Sequence, residues 1–196
     1  ASDLLYDNVS SNNESLENKE LMIKSYPLVL KTLKDLRFDI GYFIVGNIKV
    51  SETFHAPILL NCNYTEKLVG KSIEITILNE NSFLTLDEKT SEERTYNFDE
   101  EFIFHDSKMS VSINTNFQFD TEMELPKSVI KFYNLRYLTQ SYQKKIIISH
   151  KDRESTVLNI SILSEDQLKG VSFLNQLTYN YIQNEIEEKN IASNNT

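Results

Sequence analysis

An α+β domain is the fold class this sequence predicts. Helices at the N- and C-terminal ends pack on a mixed or antiparallel sheet, and an additional antiparallel β block occupies the middle of the chain. Three observations lead there. Apolar residues recur at helical spacing near the start, at Leu16, Ile23, Tyr26, Leu30 and Leu33, and again near the end, from Leu168 to Ile186. Between them, Val, Ile, Thr, Tyr and Phe alternate with polar residues in short runs bounded by Asn, Asp, Glu and Ser clusters. No helical stretch separates these middle runs, so they are joined as hairpins and pair antiparallel.

Residues 1–13 are polar and rich in Ser and Asn, a flexible N-terminal segment by composition. A helix starts near Ser15, where Glu14, Glu17 and Glu20 suit the positive end of its dipole. Pro27 lacks an amide hydrogen and clashes with the preceding turn. It therefore breaks this helix near Ser25-Tyr26 and begins a second one running to about Leu36. Phe38 to Val45 alternates as a strand, Gly46-Asn47 offers a hairpin turn, and Ile48 to Phe54 returns. Further strands are expected at 58–63, 72–78, 82–86, 94–104 and 109–119. After Pro126 comes a strand near Ser128–Tyr133. Asn134 then caps a short helix that ends at Lys144-Lys145, whose charges suit a helix C-terminus. Ile146 to Ile148 and Thr156 to Leu163 form two strands joined by a polar turn, His150 to Glu154.

Ser164-Glu165-Asp166-Gln167 reads as a capping box with Ser164 at the N-cap. The helix it opens carries Leu168, Val171, Leu174, Leu177, Tyr181, Ile182 and Ile186 as one expected stripe. This helix reaches Asn194-Asn195-Thr196 without a Gly or Pro stop signal, so both the helix and the protein are expected to continue.

Charge and composition exclude some functions. A net charge of −9 with no basic stripe disfavours nucleic acid, because phosphate contacts need clustered Lys and Arg. No apolar run approaches the roughly 18–20 residues of a membrane-spanning helix, and no signal peptide opens the chain. Cys62 is the single cysteine, which rules out an internal disulfide and is neutral about compartment.

The chemistry-bearing residues support a non-catalytic reading. His55, His105 and His150 lie in or beside strand ends and turns, and none belongs to a zinc-spaced pair. They are expected to be solvated or structural. Cys62 is expected to be a small buried side chain rather than a nucleophile. Asp99-Glu100-Glu101 with Asp106 forms an acidic knot. Carboxylates adjacent along a strand point to opposite faces, and the spacing of a calcium loop is absent, so the knot reads as a charged edge or loop. Four scattered glycines provide no phosphate-cradling loop. No catalytic residue, cofactor or metal ligand is therefore assigned.

Both ends of the chain carry a family resemblance. The run Ser15-Leu16-Glu17-Asn18-Lys19-Glu20 through Tyr26-Pro27-Leu28-Val29, continued to the strand from Phe38 to Tyr42, resembles the first periplasmic helix and strand of polysaccharide chain-length determinants. The resemblance extends to the Wzc-type tyrosine autokinases of capsule and exopolysaccharide export in their Bacteroidetes-like form. Asn134-Leu135 through Lys144-Lys145, Ser155 to Leu163, Phe173 to Leu177 and Tyr181-Ile182-Gln183 through Ala192 resemble the same family in order and spacing. The resemblance covers roughly the first 55 and last 70 residues. A β-rich insertion at about 63–127 lies outside it, within a chain-length-determinant-like domain over 14–196.

The resemblance implies the periplasmic domain of an inner-membrane polysaccharide co-polymerase. It would be a scaffold that regulates chain length and export, anchored by flanking membrane helices absent here, with any tyrosine kinase domain beyond this sequence. The implied partners are further copies of the chain, a polysaccharide polymerase, an outer-membrane export protein and the polysaccharide itself. A carbohydrate-binding β module of a cell-envelope protein is the alternative, given the tyrosine-bearing middle strands. A carboxylate-pair glycosidase is the third and weakest reading.

Overall fold

The computed structural model describes residues 16–46, 50–87, 89–117, 127–150 and 157–194. The expected flexible segment 1–13 falls outside these residues, as does part of each hairpin turn expected at Gly46-Asn47 and after His150. The fold is α+β, and among the described residues every strand pairing is antiparallel. The chain divides into a helical unit drawn from its two ends, up to Arg37 and from Leu135, and a β unit over Phe38–Asn134. The β unit is thus wider than the 63–127 block marked in the sequence, because the strands that follow Phe38 belong to its sheets.

In the helical unit, helix α1 covers residues 16–23 and α2 covers Tyr26–Asp35, with Pro27 in the first turn of α2. The chain breaks where Pro27 requires it. The break also resets the buried face. Leu16, Ile23 and Leu33 are buried as expected, but Tyr26 is exposed and α2 buries Leu28, Val29 and Thr32 instead. Helix α3 spans Leu135–Lys145, and α4 spans Gln167–Asn194. At 1.5 Å per residue, the 28 residues of α4 extend about 42 Å.

The cap of α4 corrects the sequence expectation. Asp166, not Ser164, accepts the free amide of Lys169 through its side chain at 3.0 Å, and Ser164 Oγ instead donates to the Asp166 carbonyl at 2.6 Å. An ionised carboxylate is the stronger acceptor for an orphan helix amide.

The stripe on α4 also needs correcting. Its buried residues are Gly170, Phe173, Leu177 and Asn180, with Phe173 and Leu177 fully enclosed. Phe173 meets Tyr142 of α3 at 4.7 Å between ring centroids. Asn180, only 1% exposed, donates to Asp35 Oδ2 at 2.9 Å and Thr32 Oγ1 at 3.2 Å, while Gln176 donates to Asp35 Oδ2 at 3.3 Å. These bonds fix α4 against α2. Leu168, Val171, Ile182 and Ile186, assigned to the same stripe from sequence, lie on the opposite side of the helix and are exposed. Glu185 accepts the Tyr181 hydroxyl at 3.0 Å; burial first and this carboxylate second push the Tyr181 phenol up to about 12.

The β unit contains strands β1 to β9: Ile40–Val45, Val50–Thr53, Ile58–Cys62, Ser72–Ile77, Ser82–Asp87, Glu93–Asn97, Phe102–Phe104, Ser107–Ile113 and Lys127–Phe132. A six-stranded sheet runs β2-β1-β9-β4-β5-β6, and a three-stranded sheet runs β3-β8-β7. Alternation along the strands decides which face is inside: β3 buries Ile58, Leu60 and Cys62, and β4 buries Ile73, Ile75 and Ile77. The inner faces of both sheets join in one apolar core that includes Phe83, Phe102, Met109, Val111 and Ile130. Cys62 is buried there, as expected.

The strand expected over 94–104 is two strands. Asp99 adopts a φ of +63°, and the chain turns there from the larger sheet into the smaller one. A short 3₁₀ helix over Thr65–Leu68, not foreseen, places Thr65 Oγ1 to donate to the buried Asp39 carboxylate at 2.6 Å. The last two strands, β10 (Ile146–His150) and β11 (Leu158–Ile162), form a hairpin in the helical unit.

Two substitutions test this packing. A Cβ at Gly41 of β1 would lie 2.5 Å from the ring of Tyr133, so Gly41→Ala is expected to destabilise the β unit by about 1–3 kcal/mol. Asn180→Ala removes the donor shared by Thr32 and Asp35 and is expected to cost about 1–3 kcal/mol. Urea unfolding checks both; an unchanged midpoint in either variant contradicts the contact assigned to it.

Candidate functional site

A cleft of about 290 Å³ opens in the β unit. It is built from β5, β6, β7 and the turns beside them. On β6, residues two apart share a face, so Arg94 and Tyr96 both line the cleft, and Glu92, just before the strand, joins them. On β5, Thr85 and Asp87 do the same, and Thr85 Oγ1 donates to the Arg94 carbonyl across the strand pair at 3.1 Å. Strand β7 contributes Phe102 and Phe104. Tyr96 stacks on Phe102 with centroids 4.4 Å apart and planes 23° from parallel, and Phe83 supports Phe102 from within the core at 5.9 Å.

Two of the three lining carboxylates, Glu92 and Asp87, have a basic side chain beside them, and Asp106 is the third. Arg94 donates to Glu92 Oε1 at 3.0 Å, and contacts with Glu92 first and Tyr96 second push its guanidinium further up. His105 Nε2 lies 2.8 Å from Asp87 Oδ2, although the buried nitrogen finds no well-aligned hydrogen bond there. Burial alone would raise the Asp87 carboxyl. The amides of Lys89 and Thr90, and then His105, outweigh it and hold Asp87 below its ordinary value. A general acid needs the opposite shift, so Asp87 is poorly suited to protonate a leaving group.

His105 enters the cleft because of backbone geometry. Phe104 and Ser107 pair across a two-residue turn in which His105 and Asp106 have φ of +46° and +62°. This is the handedness a tight hairpin needs, and Asn-Gly usually supplies it. Here a histidine adopts it, held at its tip by Asp87 and packed edge-on to Phe104 at 4.5 Å.

The other sequence candidates are dispersed. His150 Nε2 pairs with Glu20 at 2.7 Å in the helical unit, and the His55 ring packs against Phe54 at 5.9 Å. The acidic knot belongs to turns. Asp99 and Glu100 lie between β6 and β7, and Glu100 accepts from the Asn97 side chain at 3.0 Å. Glu101 pairs with Lys108 at 3.5 Å, and of the four only Asp106 reaches the cleft. Among the described residues, no group of three or more His, Cys, Asp or Glu is placed to hold a metal ion. No helix among them is long and apolar enough to cross a membrane.

Sequence reasoning missed Asp87, Arg94, Tyr96 and Phe102. The period-two spacing of Glu92, Arg94 and Tyr96 was the available signal, but it does not say which face of β6 is covered by a second sheet.

No protein-family model matches the chain, and no curated protein does so either.

The folded Asp87 carboxyl titrates below its unfolded value, so it contributes stability that is present above about pH 4 and lost as pH falls through the lowered folded value. Asp87→Asn is therefore expected to lower Tm by about 2–4 °C at pH 7 and to lose less of its Tm between pH 5 and pH 3 than the parent. Parallel melting curves across that range contradict this role.

Proposed function

We propose that this chain is the periplasmic domain of an inner-membrane polysaccharide co-polymerase. It is a non-catalytic scaffold that assembles with further copies of itself and acts on a polysaccharide polymerase and an outer-membrane exporter. Any tyrosine kinase domain belongs to another part of the full protein. The sequence resemblance at both ends motivates the reading, and one structural observation supports it.

That observation is the two-sided character of α4. One side packs within the helical unit through Phe173, Leu177 and Asn180. About half a turn around the helix, Leu168, Val171, Tyr179, Ile182 and Ile186 form a second apolar stripe with exposures from 47% to 57%. Spacings of three, eight, three and four residues keep these side chains on one face. A surface helix with a single role needs only one such stripe, and contiguous exposed apolar residues are a common mark of an interface. In the proposed assembly this second face meets a neighbouring subunit.

A photo-activated cross-linking residue at Ile186 of the full-length protein in native membranes tests the reading. The expected product is a ladder of dimers and higher species, weakened when Ile182→Glu is added. A chain that stays monomeric under illumination contradicts it.

A further inference from the structure

We propose that the cleft between β5, β6 and β7 binds a single neutral sugar ring. This goes beyond the scaffold role and does not depend on it.

The first argument is charge. Arg94 is matched by Glu92 at 3.0 Å, His105 lies 2.8 Å from Asp87, and Asp106 adds a further carboxylate, so the described lining contains no uncompensated cation for a phosphate, sulfate or uronate. The net charge of −9 opposes such anions further. What the pairs do present is donors and acceptors side by side. A hydroxyl both donates and accepts, so a ring carrying several hydroxyls can bond to guanidinium and carboxylate together.

The second argument is the wall. The Tyr96–Phe102 stack gives the cleft an aromatic side, and Tyr96 is only half-buried. The C–H face of a pyranose packs on such a ring while its edge hydroxyls reach the charged pairs. Polar and apolar groups share the lining about equally, which suits a ligand with one apolar face and a polar edge.

The third argument is size and support. The cleft volume of about 290 Å³ lies at the low end of the roughly 300–1,000 Å³ found for ligand sites, which suits one ring and not a run of them. Its rim is formed by strands in register and by the tight His105-Asp106 turn, so binding requires little ordering of the protein.

The test is a titration of the 196-residue chain, followed by amide NMR. The neutral probes are methyl glucoside, methyl galactoside and N-acetylglucosamine, and the anionic probes are glucuronate and inorganic phosphate. At least one neutral probe is expected to give saturable shifts at Thr85, Arg94, Tyr96 and His105. For a ligand of this size, Kd is expected on the order of 1–10 mM.

Arg94 is largely exposed, so Arg94→Gln is expected to keep the fold and weaken binding about tenfold; Tyr96→Leu is expected to abolish it. The proposal is overturned if no neutral probe saturates, if glucuronate or phosphate binds more tightly, or if Arg94→Gln binds as well as the parent.

Discussion

Strand β9 is hydrogen-bonded on both edges, and the β unit depends on it. Lys127 to Phe132 pairs with β1 on one side and β4 on the other, so the last strand of the unit lies in the middle of its larger sheet. Without β9, the β2-β1 pair and the β4-β5-β6 set share no ladder. Ile130 and Phe132 also belong to the core that joins both sheets. Residues nearly ninety positions apart in sequence have to meet before the sheet closes. That ordering is entropically costly, and it is offset only once the core forms.

The cleft inherits its geometry from that closure. Strands β5 and β6 reach the rest of the sheet through β4, and β4 is held by β9. Phe102 is positioned by the smaller sheet, and it meets Tyr96 because the two inner faces share one core. Arg94 and Glu92 then sit at the margin of the aromatic wall, where both remain accessible to a ligand. The helical unit follows a different logic. Its ends come from opposite parts of the chain, and the Asn180–Asp35–Thr32 bonds join them with a polar node that only one register of α4 against α2 satisfies.

Much of the fold was legible in the sequence, because periodicity and turn chemistry are local. Pro27, Asn134 and Lys144-Lys145 mark helix ends that fall where residue chemistry places them. The alternation at Ile58–Cys62 and Ser72–Ile77 matches the buried faces residue by residue. What the sequence hid is non-local. The apolar residues of α4 form two stripes on opposite sides, and a list of apolar positions merges them into one until the packing of Phe173 and Leu177 separates them. The break at Asp99 depends on a positive φ in a residue type that does not require one. The cleft depends on which strands face each other across two sheets, and no single run of residues encodes that. The functional reading comes from the ends of the chain, where the resemblance lies, while the cleft lies in the middle, where there is none.

Phe38–Asn134 is a self-closing unit completed by β9. The most direct measurement compares residues 38–134 with residues 38–126, each produced alone and unfolded in urea. Closure by β9 predicts one cooperative transition and well-dispersed amide signals for the longer fragment, with neither for the shorter. A shorter fragment that unfolds as cooperatively as the longer one, or a longer fragment that does not fold, would contradict it.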